Sequence, residues 1–303
     1  MCTASLRLRT EGRIMTETIP PDSGQEIEIH RAVSADGTEI VGHVYGDGQP
    51  LVLVHAGLGD GLLDWNAQLA FLRERFTCYL LSTRGRGASG DHPDQSTERN
   101  VEDVVAFVES IGEPVGLAGA SGGAMFTLAA TARSEAVAAL TACDPLAFEV
   151  LDADDEIRFH DAIERMAALA GEDRLVEAAR DWMTEWANDE EMAALSESGY
   201  LEACATYLPA LLQVLEQTEE SEDPSPTDPA VLGRITVPVS ILQGSRSNET
   251  WPWFTASARY VDEHVPDATV REIPGAGHMG AWVKPELYAD ELVAFFEEHL
   301  ADG

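Results

Sequence analysis

Residues 114–132 read PVGLAGASGGAMFTLAATA, and this stretch decides the fold. Its opening, Pro114–Ala118, is a short uncharged apolar run, as a strand buried on both faces requires. Its second half, Gly123–Ala132, reads as a helix. Between them stands Gly119-Ala120-Ser121-Gly122-Gly123, a G-x-S-x-G turn set between strand and helix. A serine in that place sits on a strained backbone, and side chains two residues to either side would clash. The turn lifts Oγ above the sheet and points the helix N-terminus at the reacting centre. Ser121 is therefore the candidate nucleophile, and the Gly122 N–H a candidate oxyanion donor.

The same alternation extends in both directions. Glu26–Val33 and Thr38–Tyr45 flank the turn signal Ala35-Asp36-Gly37 and predict an antiparallel hairpin. Pro50–Val54, Cys78–Leu81 and Ala136–Thr141 predict further buried strands. Helices are expected around Asp64–Arg75 and over Thr97–Ile111, where Val101, Val104, Val105 and Val108 recur at 3–4 spacing. From about Asp152 to Gln217 strands give way to helical stripes, closed by an acidic, Pro-rich linker at Glu219–Pro229 (EESEDPSPTDP). Strands then return at Val237–Leu242 and Thr269–Ile273, with helices over Trp253–Val265 and Pro285–Leu300. The pattern predicts an α/β fold with a mostly parallel sheet flanked by helices. Residues 25–146 and 231–303 form its core, 147–230 a helical insertion and linker, and 1–24 a disordered tail in which Met15 is an alternative start.

These features resemble the α/β-hydrolase superfamily from roughly Glu26 to the C-terminus, and three further segments carry the resemblance. Val54-His55-Ala56-Gly57-Leu58 resembles the oxyanion loop after the third strand, usually His-Gly-x. Ala56 replaces the first glycine, so Gly57 is the expected second donor and Leu58 the reserve. Thr83-Arg84-Gly85-Arg86-Gly87-Ala88-Ser89-Gly90 resembles the D-x-R-G-x-G-x-S loop, with Ser82 where Asp is common. Pro274-Gly275-Ala276-Gly277-His278 resembles the loop that presents the catalytic histidine. Of the eight histidines, only His278 follows a predicted core strand in a Gly-rich loop near the end of the chain, so it is the expected general base.

The resemblance usually places the acid after the penultimate strand, which here ends Leu242-Gln243-Gly244. The common position holds Ser247, which cannot balance an imidazolium, and Glu249 stands two residues late. Some members carry the acid after the preceding strand, where this chain has Asp144 before Pro145. Asp144 is the expected acid and Glu249 the alternative. The insertion resembles a cap, whose Met166, Trp182, Met183 and Trp186 are expected to line a pocket or to pack against the core. Trp65, Trp251 and Trp253 are expected on loops near strand ends.

The resemblance implies a cofactor-free serine hydrolase acting on a carboxylic ester or lactone through an acyl-enzyme. It also admits C–C hydrolases and perhydrolases using the same triad, and an inactive small-molecule binding protein. Dehalogenases and epoxide hydrolases of this fold use Asp where Ser121 stands. No metal or phosphate motif is expected. The chain holds 303 residues and a net charge of −35, with 18 Arg and one Lys, Lys284. That balance excludes a nucleic acid or an anionic membrane as partner. It suggests a halophilic, cytoplasmic protein whose partner is a small-molecule substrate, with oligomeric state left open. Cys2, Cys78, Cys143 and Cys204 are scattered, as free thiols in a reducing compartment would be.

Overall fold

Leu51 and Leu53 of strand β3 (Gln49–Val54) pack into one buried cluster, and Val52 and Val54 into another. Burial on both faces is what an uninterrupted apolar run demands of a strand inside a parallel sheet. The computed structural model describes residues 28–300. The expected tail, the Met15 start and Cys2 lie outside the described residues.

The other strands are β1 (Glu28–Val33), β2 (Glu39–Tyr45), β4 (Phe76–Ser82), β5 (Val115–Ala120), β6 (Val137–Cys143), β7 (Val239–Gly244) and β8 (Ala268–Ile273). They form one sheet in the order β1-β2-β4-β3-β5-β6-β7-β8. The β1–β2 hairpin is antiparallel, β2 pairs antiparallel with β4, and every later pairing is parallel.

Helix α1 (Gly61–Leu72) covers one face together with the C-terminal helix α12 (Pro285–Leu300). Helices α2 (Thr97–Ile111) and α3 (Gly122–Thr131) cover the other, with α10 (Trp253–His264) beyond them. Between β6 and β7 the chain leaves the sheet through α4 (Ala153–Gly171), α5 (Leu175–Met183), α6 (Asp189–Ser198), α7 (Tyr200–Cys204) and α8 (Leu208–Glu220). Two short helices, α9 (Pro229–Leu232) and α11 (Gly280–Val283), complete the described residues.

Helix boundaries follow local chemistry. Gly112, at φ +81°, ends α2 in the left-handed conformation that favours glycine. Asp60 caps α1 by accepting the Leu63 N–H at 2.8 Å. That cap starts α1 three residues before the expected Asp64. Trp65 is a buried residue of this helix and not a loop residue. Trp253 likewise opens α10, while Trp251 lies just before it. The expected linker also loses its first two residues, Glu219 and Glu220, to α8. None of the described helices is long and apolar enough to cross a membrane.

Candidate active site

Three non-glycine residues among those described have positive φ, and two of them directly follow the ends of β5 and β6: Ser121 at +53° and Asp144 at +45°. Strain of this kind persists only where the surroundings enforce it. The Ser121 N–H donates to the Cys143 carbonyl at 2.9 Å, and the Asp144 N–H to the Leu242 carbonyl at 2.7 Å, so each turn is tied to the neighbouring strand. The turn also needs its glycines. A Cβ on Gly119 would stand 2.5 Å from the Gly123 carbonyl oxygen, and one on Gly123 only 2.1 Å from the His55 oxygen.

His278 Nε2 lies 3.1 Å from Ser121 Oγ. Its imidazole stacks on Phe254, with centroids 4.1 Å apart and planes 18° from parallel, and Trp186 packs beside it at 5.4 Å. Only 1% of His278 is exposed. This burial without a compensating partner pushes its pKa down to about 3, so the ring is neutral and able to accept a proton. The Nδ1 atom is buried and makes no hydrogen bond.

Asp144 is also buried, and burial raises its pKa to about 7 against the hydrogen bonds it accepts. Oδ1 accepts the Gly244 N–H at 3.2 Å and the Ser247 hydroxyl at 3.1 Å, and Oδ2 accepts the Tyr288 hydroxyl at 2.9 Å. None of these bonds reaches His278. Two of the donors nonetheless adjoin the histidine loop. A Cβ on Gly244 would strike the Ala276 and Gly277 carbonyls, and one on Gly280 the Tyr288 hydroxyl. Glu249 sits elsewhere in character: it is exposed, and both its oxygens take the Arg246 guanidinium Nε–H at 3.0 Å.

Gly122 and Gly57, the two expected oxyanion residues, lie side by side: a Cβ on Gly122 would stand 3.4 Å from the Gly57 nitrogen. The Gly57 loop is held peptide by peptide. His55 Nδ1 donates to the Ala56 carbonyl at 2.6 Å while its Nε2 accepts the Thr83 N–H at 3.1 Å. Buried Arg86 donates to the Gly57 carbonyl at 2.9 Å and the Tyr207 carbonyl at 2.6 Å. Asp64 accepts the Ala56 N–H at 2.8 Å and the Tyr200 hydroxyl at 3.0 Å. In a trans peptide the N–H points opposite to the carbonyl. The His55 bond therefore fixes the direction of the Gly57 N–H, and the Arg86 bond that of the Leu58 N–H.

A cavity of about 340 Å³ opens above Ser121 and His278. The insertion gives it Trp182, Met183 and Trp186 as walls, whereas Met166 is buried away from it. Glu191, on α6 of the insertion, accepts the Gly277 N–H at 2.8 Å. Sequence reading had no signal for Glu191, Phe254 or Tyr288, whose partners are far away along the chain. Ser247, unable to serve as an acid itself, donates its hydroxyl to Asp144.

Residues 51–291 match the model of the alpha/beta hydrolase family. The chain belongs to that family. The family makes it an α/β-fold hydrolase. No curated protein matches it by sequence. Among solved structures, an alpha/beta hydrolase from Sphaerobacter thermophilus is 27% identical, with a TM-score of 0.68 over 88% of this chain and 100% of that one. An esterase from Rhodococcus sp. superposes with a TM-score of 0.73 at 20% identity, covering 89% and 99%. A thermophilic esterase from Thermogutta terrifontis gives 0.68 at 21%, covering 90% and 99%. The two esterases share the fold with this chain at identities too low to carry their activity across.

Proposed function

We propose that this family member is a serine hydrolase that cleaves a carboxylic ester or lactone. The observation that carries the reading is the 3.1 Å contact between Ser121 Oγ and neutral His278 Nε2 on a strained strand-to-helix turn. His278 takes the Ser121 proton as Oγ attacks the carbonyl carbon, and the N–H groups of Gly57 and Gly122 receive the oxyanion. His278 then returns the proton to the leaving alcohol, and water attacks the acyl-enzyme by the same route. Asp144 is the acid that steadies the imidazolium. Supporting that choice, Ser247 stands where an acid is common in the family and instead donates to Asp144.

One observation favours a second reading. His278 Nδ1 meets no acceptor, as in a site that binds a small molecule without turning it over. A fluorophosphonate probe separates the two. Labelling of folded wild-type protein in multimolar KCl, lost in Ser121→Ala, supports the hydrolase, and an unlabelled wild type supports the binding protein. A panel of esters from acetyl to octanoyl then measures chain-length preference. The −35 charge fits a salt-rich cytoplasm as the place of work.

A further inference from the structure

We propose that the cavity above Ser121 selects uncharged esters with a medium-sized apolar group and rejects esters that carry a carboxylate. This deepens the serine-hydrolase reading and rests on it.

The walls are apolar along two helical stripes. Helix α4 contributes Phe159 and Ile163, and α8 contributes Leu211, Val214 and Leu215. Each stripe continues into a carboxylate at the exposed end of the cavity, Glu156 on α4 and Glu219 on α8. Thr97 of α2 meets Thr218 of α8 there, with their hydroxyls 2.6 Å apart. Among the described residues lining the cavity none is Lys or Arg, and their ionisable nitrogens are those of His278 and His160. The nearest buried guanidinium described above, Arg86, is spent on the Gly57 and Tyr207 carbonyls.

Two physical effects follow, and they differ in salt dependence. A substrate carboxylate lying against these walls loses its water and gains no cation, a desolvation cost that salt does not remove. Glu156 and Glu219 repel the same substrate before it enters. That part is screened once the Debye length falls to about 3 Å in 1 M salt. The cavity volume, about 340 Å³, lies near the small end of the range of about 300–1,000 Å³ for ligand pockets. Its enclosed part matches a medium-sized acyl or alcohol group.

The test compares p-nitrophenyl esters of adipic acid monomethyl ester and of adipic acid with its second carboxylate free. Both are assayed in 0.5 M and 3 M KCl at pH 8. The free acid ester should show kcat/KM about 100-fold lower in 3 M KCl, with a larger gap in 0.5 M. Glu156→Gln/Glu219→Gln should narrow the gap in 0.5 M KCl and leave it in 3 M. Leu215→Arg should narrow it in both, by about tenfold. Rates within threefold of each other in 3 M KCl overturn the proposal. So does a double variant that abolishes the gap in 3 M. Binding keeps the two readings apart. Ser121→Ala, followed by the fluorescence of Trp182 and Trp186, should bind methyl hexanoate at least tenfold tighter than adipic acid monomethyl ester. If no ester is turned over and that preference holds, the hydrolase reading fails and the cavity proposal stands. If esters are turned over and the preference is missing, the reverse is true.

Discussion

The Glu191 carboxylate accepts the Gly277 N–H at 2.8 Å, so a helix of the insertion grips the loop one residue before His278. The same side chain closes the α6 capping box with Asn188. A Cβ on Gly277 would stand 2.4 Å from Glu191 Oε2, which is why the loop carries glycine there. The geometry joins the capping hydrogen bonds of α6 to the position of the imidazole.

Removing that carboxylate tests the connection. Glu191→Ala strands the Gly277 N–H in a buried place, which costs about 1–3 kcal/mol. It should also let the histidine loop drift, lowering kcat about tenfold or more while KM changes little. Glu191→Gln keeps an acceptor of the same shape and should recover most of the rate. Steady-state kinetics and denaturant unfolding on the two variants check this. A Glu191→Ala protein with wild-type kcat and reduced stability would make the contact purely structural.

The choice between two acids has a direct answer in kinetics. Asp144→Asn should lower kcat by about 10⁴-fold with the fold intact. Glu249→Gln should stay close to wild type, because Glu249 is exposed and paired only with Arg246. The reverse result would transfer the role to Glu249.

Local physics made most of the fold readable. Thr97–Ile111 and Pro285–Leu300 begin and end where expected, since Gly112 stops the first and Pro285 starts the second. Ser121, Gly122, Gly57 and His278 lie within short motifs and arrive together in space. Trp65 lies inside the expected helix Asp64–Arg75, and the structure keeps it there rather than on a strand-end loop. Glu191 was invisible in the sequence. Asn188-x-x-Glu191 announces a helix start, and nothing in those four residues announces Gly277, 86 positions on. Phe254 stacks on His278 by the same kind of long-range packing, which neither periodicity nor motif encodes.

On the proposed mechanism Asp144 sets the pH dependence. Burial raises its carboxyl to about 7, while burial lowers His278 to about 3. The base is thus neutral across the working range, and the form that supports it, ionised Asp144, accumulates as pH rises through about 7. The expected kcat/KM rises along that limb. The Tyr288 hydroxyl donates to the ionised carboxylate and so holds its pKa down. Tyr288→Phe removes that donor and should move the acid limb to higher pH. A pH–rate profile of the two proteins decides it, and an unmoved or lowered limb would contradict the assignment.

Salt should stabilise the whole molecule through its surface. Arg84 pairs with Asp103 and Asp36 at 2.7 Å with its side chain fully buried, and screening touches such a pair little. Most other ion pairs of the described residues have a half-exposed or exposed partner and contribute little each. Against them stand 54 acidic side chains and 19 basic ones, so repulsion dominates the long-range field. Screening removes repulsion first. The unfolding midpoint should therefore climb by about 10 °C or more between 0.05 M and 1 M KCl. It should climb less steeply above that, where the Debye length has already fallen below the spacing of surface charges. Calorimetry across that range checks the shape of the curve. A flat curve would show that the charge carries no adaptation to salt. A rise confined to multimolar KCl would assign the gain to strengthened apolar burial instead.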